Sequence, residues 1–352
     1  MKAEMQVAVA SLKRVKAGFL LPSAAYTIQR KQIRSYEFLD KAPVVGDLIY
    51  GRVTRLGEHA YLENKEGRIH IINDGTRAVF VLGNRYAPAY FEGCVPESLP
   101  KDLDLLSRSG VVGQMLCKSN AVKDPTRVRV LGYICDEAGQ PLNTRDFSLI
   151  KPKIHEKRAK RARMILSIGT AMNAGKSTTA VASCWALSTM GYTVRASKIT
   201  GTASLKDILH MEDAGATPTT DFTYLGYPST YLLSEAELLH IFDTLDLKYA
   251  NNPKNFWVVE IADGILQRET AMLLRAEGLR QRIHRLLFSA QDALGAIGGI
   301  QVLKDQFGLV PDAISGICSA SPLSVRELEA QTNIPVFNNL QPDLQALSEI
   351  LL

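Results

Sequence analysis

The chain has 352 residues, 46% of them hydrophobic and 22% charged, enough for about two domains of roughly 150 residues each, with cores of their own. No stretch approaches the roughly 20 apolar residues of a membrane span. The formal charge of +5 is local: "KPKIHEKRAKRAR", residues 151–163, holds seven Lys/Arg against one Glu, so the rest of the chain is close to neutral.

The first 26 residues break their apolar patches with Lys13, Arg14 and Lys16, unlike an export signal. Five cysteines, at 94, 117, 135, 184 and 318, form no CxxC pair. Reduced thiols and a cytoplasmic location are therefore expected, with no disulfide framework and no zinc site. The six histidines are scattered, without HxxxH or HExxH spacing.

In chain order, residues 1–40 read as a mixed tail with some helical character. Residues 41–150 carry short runs rich in β-formers, "VVGDLIYGRVTRLG", "AYLEN", "RIHII", "AVFVL" and "VRVLGYI", separated by Gly, Asp and Asn. That texture predicts a small β-rich, barrel-like domain. Residues 151–163 read as a basic linker, solvated rather than a polyanion site. From residue 164 apolar runs alternate with helical stretches: "MILSI", "TVRASKI", "NFWVVEIA", "RLLFSA", "AISGICS" and "IPVF" each precede one. This alternation predicts an α/β domain over 164–352, a mostly parallel doubly wound sheet with helices on both faces. Ligands bind such sheets beyond the C-terminal strand ends, so the informative residues should follow the strands.

The first strand-to-helix junction reads Gly169-Thr170-Ala171-Met172-Asn173-Ala174-Gly175-Lys176-Ser177-Thr178. It carries the Gly-Lys-Ser tail of a phosphate-binding loop, with Thr170 in the first glycine slot and Gly169 one place earlier. Gly175 lets backbone N–H groups turn toward phosphate oxygens, Lys176 sets a cation on the β/γ-phosphates, and Ser177 offers a hydroxyl to Mg2+. Gly169, Thr170, Asn173, Ala174, Gly175, Lys176, Ser177 and Thr178 are the expected nucleotide-binding set.

This loop resembles that of dethiobiotin synthetase and of the ATP-binding domains of cobyric acid and cobyrinic acid amide synthases, which share a superclass with ParA/MinD-type ATPases. The extra signature lysine of the latter is replaced by Ala171. The resemblance continues over residues 164–320. "SKITGTASLKD" is similar to the family's Lys-Pro-Val-x-x-Gly segment and implies a second substrate-facing cation at Lys198, with Thr200-Gly201-Thr202 lining the site. "HMEDAGA" places Asp213 where the family has an acid near Mg2+. "WVVEIADG" is similar to the family's Val-Glu-Gly-Ala-Gly-Gly and implies a metal-facing Glu260, with Asp263 in place of a glycine. No such resemblance covers residues 1–150, apart from an opening Gly-Asp-Leu-Ile-Tyr-Gly-Arg-Val that looks like the first strand of an OB- or S1-type barrel.

The expected site therefore comprises Lys176, Lys198, Glu260 and Asp263 as catalytic residues, and Ser177, Asp213 and Glu260 as Mg2+ ligands. Asp263 reads equally well as a turn residue, and Arg268-Glu269 as a solvated pair. Asp292 reads as a helix start, residues 318–324 as a polar loop or a base contact, and the aromatic run 222–233 as a substrate lid or a packing segment. The expected function is ATP- and Mg2+-dependent phosphoryl transfer, by a ligase, synthetase or kinase-like enzyme, to a small-molecule carboxylate or carbamate. GTP is not excluded, and a homodimer is compatible with the sequence. The alternatives are a nucleic-acid-directed NTPase using the basic linker, and a non-catalytic nucleotide switch.

Overall fold

The computed structural model describes residues 12–16, 18–151 and 160–352. Most of the basic linker, and the first 11 residues of the expected tail, lie outside the described residues. No described helix is long and apolar enough to cross a membrane.

The N-terminal part carries β1 (Lys13–Arg14), β2 (Ser35–Glu37), β3 (Leu48–Arg55), β4 (Tyr61–Glu63), β5 (Ile69–Ile71), β6 (Arg77–Leu82), β7 (Arg85–Tyr86), β8 (Phe91–Cys94), β9 (Asp102–Leu105), β10 (Val111–Lys118) and β11 (Thr126–Cys135). Five of them close on themselves. The pairings run β3 to β6, β6 to β10, β10 to β9, β9 to β11, and β11 back to β3. All are antiparallel except β6–β10. The barrel-like expectation thus has a physical counterpart. Alternation explains it: Ile49, Val53, Phe80 and Leu82 fill one core, while Leu48, Tyr50, Val79 and Val81 of the same strands fill another.

That second apolar face needs a cover, and residues 19–33 provide it. Phe19, Leu21, Ala24, Ala25, Ile28 and Ile33 are buried against it, and β1 pairs β2, which pairs β11. The described residues of the segment read as a tail therefore pack with the sheet, starting from β1.

The C-terminal part runs β12 (Arg163–Gly169), α1 (Lys176–Thr189), β13 (Val194–Lys198), α2 (Leu205–Asp213), β14 (Thr219–Asp221), α3 (Glu235–Tyr249), β15 (Phe256–Glu260), α4 (Arg268–Arg275), α5 (Glu277–Arg280), β16 (Ile283–Ala290), α6 (Ala293–Val302), β17 (Ala313–Gly316), α7 (Pro322–Glu329) and α8 (Leu344–Leu351). The six strands form one sheet in the order β14-β13-β15-β12-β16-β17, and every pairing is parallel. Buried side chains alternate between faces. Met164, Leu166, Ile168, Trp257 and Val259 pack toward α3 and α4. Ile165, Val194, Ala196, Phe256 and Val258 pack toward α1, α2 and α8. The last of the expected strands, "IPVF", is reduced to a single parallel bridge of Val336 to Ile314.

The two parts are docked. Tyr231 Oη donates to Glu92 at 2.7 Å, and Thr144 Oγ1 to the Gly226 carbonyl at 2.6 Å. Arg145 pairs with Glu237 at 3.0 Å, and the Tyr26 and Tyr224 hydroxyls meet at 2.8 Å. A Cβ on Gly226 would fall 2.3 Å from the Thr144 carbonyl oxygen, so the chains approach too closely there for a side chain. The aromatic run 222–233 thus joins the parallel-sheet part to the N-terminal part.

Candidate functional site

β12 enters the phosphate-binding loop at Gly169, where a Cβ would sit 2.5 Å from the Ser289 carbonyl oxygen. Thr170 N donates to that same oxygen at 2.9 Å. The loop then turns through Asn173 (φ 64°) and Gly175 (φ 103°) into α1. Ala174 is buried, and its carbonyl accepts from Ile317 N at 3.1 Å. Asn339 Nδ2 donates to the Gly175 carbonyl at 3.2 Å and to Thr179 Oγ1 at 3.0 Å. These contacts hold the loop so that the positive N-terminus of α1 faces the strand ends. Lys176 is nearly fully buried, and its Nζ donates to the Ala171 carbonyl at 2.7 Å, back across the loop. Burial lowers its pKa against the opposing pull of Glu260 and Asp263.

The ends of β13 and β15 bring charge to the same place. The register sets Lys198 beside Glu260. Lys198 Nζ pairs with Asp207 on the first turn of α2, and lies 3.6 Å from Glu260 Oε1. Ser177 Oγ donates to Glu260 Oε1 at 3.0 Å. Burial works against the charge of Lys198, but Asp207 and Glu260 outweigh it and raise its pKa above the ordinary range. Burial also works against the charge of Asp207, and there Lys198 wins and lowers the pKa. For Glu260, only 2% exposed, burial wins and raises the pKa.

Among the described residues no group of three or more His, Cys, Asp or Glu side chains could hold a metal. Mg2+ asks for less, usually one or two carboxylates with waters and phosphate oxygens. Glu260 Oε2 is buried without a hydrogen-bond partner, and Ser177 and Asp207 stand beside it. These residues fit a divalent ion.

A cleft of about 760 Å3 opens over this group, within the usual range for small-molecule sites. Its far wall comes from the N-terminal part: His59, Arg85, Tyr86, Tyr90 and Arg108. Arg85 Nη1 lies 2.9 Å from His59 Nε2 and its guanidinium sits 5.2 Å from the Tyr90 ring centroid. Burial, then the charge of Arg85, lowers the His59 pKa to about 4, so the imidazole is neutral at neutral pH. Burial lowers the Arg85 pKa to about 10, which leaves it charged. Asp263, at a left-handed φ of 62°, also lines the cleft. Burial raises its pKa, with Lys176 and Lys198 opposing.

Of the residues singled out from sequence, Asn173, Gly175, Lys176, Ser177, Thr178, Lys198, Glu260 and Asp263 line this cleft. Gly169, Thr170 and Ala174 shape the loop behind it. Asp213 does not join them. It ends α2, exposed, while Asp207, two turns earlier, faces Lys198. Glu269 is not solvated: it is 1% exposed, paired with Arg268 and accepting from Leu232 N at 2.9 Å. Asp292 caps α6, accepting from Gly295 N at 2.7 Å. Ile317, just ahead of the polar loop, reaches the cleft, whereas Cys318 is buried.

Two sets of residues escaped the sequence reading. Asp207 had a signal, since it is an acid in the first turn of the helix after Lys198. Arg85 had none, because the fold of another domain carries it to the cleft.

No family model matches the sequence, and no curated protein matches it. Among solved structures, the chain is similar to the signal recognition particle receptor FtsY from Elizabethkingia anophelis in complex with GDP. The identity is 13% and the TM-score 0.38, over 55% of this chain and 65% of that one, just under two thirds of its length. It is similar to a ParA family ATPase from Chlorobium tepidum TLS at 14% identity and TM-score 0.34, over 55% and 88% of the two chains. It is also similar to HypB from Helicobacter pylori in complex with nickel, at 14% identity and TM-score 0.32, over 53% and 83%. Scores this low assign no family, and the reading of the site rests on its geometry.

Proposed function

We propose that this chain is an ATP- and Mg2+-dependent phosphoryl-transfer enzyme whose acceptor is a small-molecule carboxylate or carbamate. The observation that carries the reading is the convergence of Lys176, Ser177, Lys198, Asp207 and Glu260 on one cleft at the C-terminal end of a parallel sheet. Phosphoryl transfer asks mainly for positioning and for cations that neutralise the moving group.

The N–H groups at the turn into α1, from Gly175 to Thr178, cradle the phosphates. Lys176 exchanges the Ala171 carbonyl for a phosphate oxygen, a swap of one hydrogen bond for a stronger charge-assisted one. Lys198 lines the cleft at the end of β13, its charge balanced by Asp207 and Glu260. Mg2+, when bound near Ser177, Asp207 and Glu260, would neutralise phosphate charge. The acceptor oxygen attacks the terminal phosphorus, the bond to the bridging oxygen breaks, and ADP leaves with the electron pair. A carboxylate acceptor gives an acyl phosphate, and no proton need move. Asp263 orients the acceptor. The choice of ATP over GTP follows the family resemblance in the loop. The same reading places the enzyme in the cytoplasm, with a small molecule rather than nucleic acid or membrane as its partner.

The test is trapping. With ATP, Mg2+ and a panel of small carboxylates, added hydroxylamine should capture the acyl phosphate as a hydroxamate. The signal should vanish in Lys176→Ala. A hydroxamate signal of equal size in that variant contradicts the assignment.

A further inference from the structure

We propose that Arg85, carried by the N-terminal sheet domain, anchors a second anion subsite facing the phosphate-binding loop, and that this subsite takes the carboxylate of the acceptor. The inference rests on the phosphoryl-transfer reading and adds the group that selects its substrate.

Arg85 is 7% exposed and lines the cleft. A guanidinium offers five N–H donors. Among the described residues its side chain makes one hydrogen bond, from Nη1 to neutral His59, and Nε is buried with no partner. Among the described residues no carboxylate lies within 4.0 Å of it; Arg108 beside it is the one that approaches Glu63, at 3.8 Å. A desolvated cation with unmade hydrogen bonds is costly unless an anion meets it.

The position is also built. Arg85 begins β7, which pairs β8 in register Arg85–Gly93. Asn84 Oδ1 accepts from Val95 N at 2.9 Å, and Asn84 Nδ2 reaches the Tyr231 carbonyl at 3.4 Å. The Tyr90 ring and His59 fix the plane of the guanidinium. A planar fork so held suits a carboxylate bound through two oxygens. Asp263, whose charge favours that of Arg85 after the contribution of Tyr90, lines the same cleft as Arg85, Lys176 and Lys198. An acceptor held by Arg85 would therefore present its reacting end to the terminal phosphate.

The test uses the full chain saturated with a non-hydrolysable ATP analogue and Mg2+, so that the phosphate-binding loop is filled. Malonate and orthophosphate are then titrated by calorimetry. The wild type should bind malonate, and the affinity should fall at least tenfold in Arg85→Gln. Arg85→Lys, which keeps the charge and loses the fork, should fall at least threefold and carries the test if Arg85→Gln does not fold. Tighter binding of orthophosphate than malonate would make the acceptor group a phosphate and overturn the carboxylate assignment. No binding of either anion to the loaded wild type, or equal affinity in the variants, overturns the subsite. Equal anion affinity with slowed phosphoryl transfer assigns Arg85 to the nucleotide instead, which also overturns it. Failure of the analogue itself to bind would count against the loop reading, separately from Arg85.

Discussion

Glu63 ties the N-terminal domain to α2 at the edge of the cleft, and its removal should be felt in both. Its carboxylate is 1% exposed and sits at the start of α2. Oε1 accepts from the backbone N–H of Leu205, the first residue of that helix, at 2.8 Å, and from Ser23 Oγ at 2.6 Å. Glu63→Ala strands a buried amide and a buried hydroxyl. Each costs about 1–3 kcal/mol when left unpaired, and loss of the acid at the helix N-terminus adds about 0.3–1 kcal/mol. Relief of carboxylate burial offsets part of this, for a net loss of about 2–4 kcal/mol. Glu63→Gln keeps an acceptor at Oε1 and should lose about 1 kcal/mol, the difference between a charge-assisted and a neutral acceptor. Asp207 rides on the first turn of the same helix, so Glu63→Ala should also weaken Mg·ATP binding several-fold. Urea denaturation and calorimetry read the two effects. Equal stability of the Ala and Gln variants, with wild-type nucleotide affinity in both, would refute the reasoning.

Three further outcomes are expected. Glu260→Gln should lose most of the gain in ATP affinity on adding Mg2+, roughly 10–100-fold, while metal-free affinity changes little; calorimetry with and without Mg2+ decides. Gly175→Ala should lower nucleotide affinity at least tenfold, because its φ is +103° and a Cβ would lie 2.7 Å from Gly316 Cα, a strain of about 1–3 kcal/mol. Burial raises the pKa of Asp221 to about 6, above its unfolded value, so ionisation favours the unfolded chain and stability falls as pH rises from about 4 to 6. Asp221→Asn keeps the acceptor for Thr223 N, removes that slope, and should be more stable at pH 8 by up to about 3 kcal/mol; melts across the pH range check it.

The parallel sheet was legible because Met164, Trp257 and Leu286 and their neighbours form short apolar runs, each followed by a polar turn and a helical pattern. Lys176, Lys198 and Glu260 were legible because strand ends in such sheets meet on one edge. α3 went unread although Ser234 and Glu237 form a capping box at its start. Asp213 was chosen over Asp207 by analogy with a family motif, whereas helix geometry turns only Asp207 toward Lys198. Residues 19–33 looked like a tail because their purpose is tertiary: they cover the second apolar face of β3 and β6. Arg85 is a single cation in a two-residue strand, and its role depends on a docking between domains that no local pattern encodes.

Residues 170–178 are expected to bind a nucleoside triphosphate. Calorimetric titration of the folded protein with ATP in Mg2+ buffer tests it most directly. One-to-one uptake, weakened at least a hundredfold in Lys176→Ala, is the expected result. A wild-type protein that takes up neither ATP nor GTP, or a variant that binds as tightly as the wild type, would contradict it.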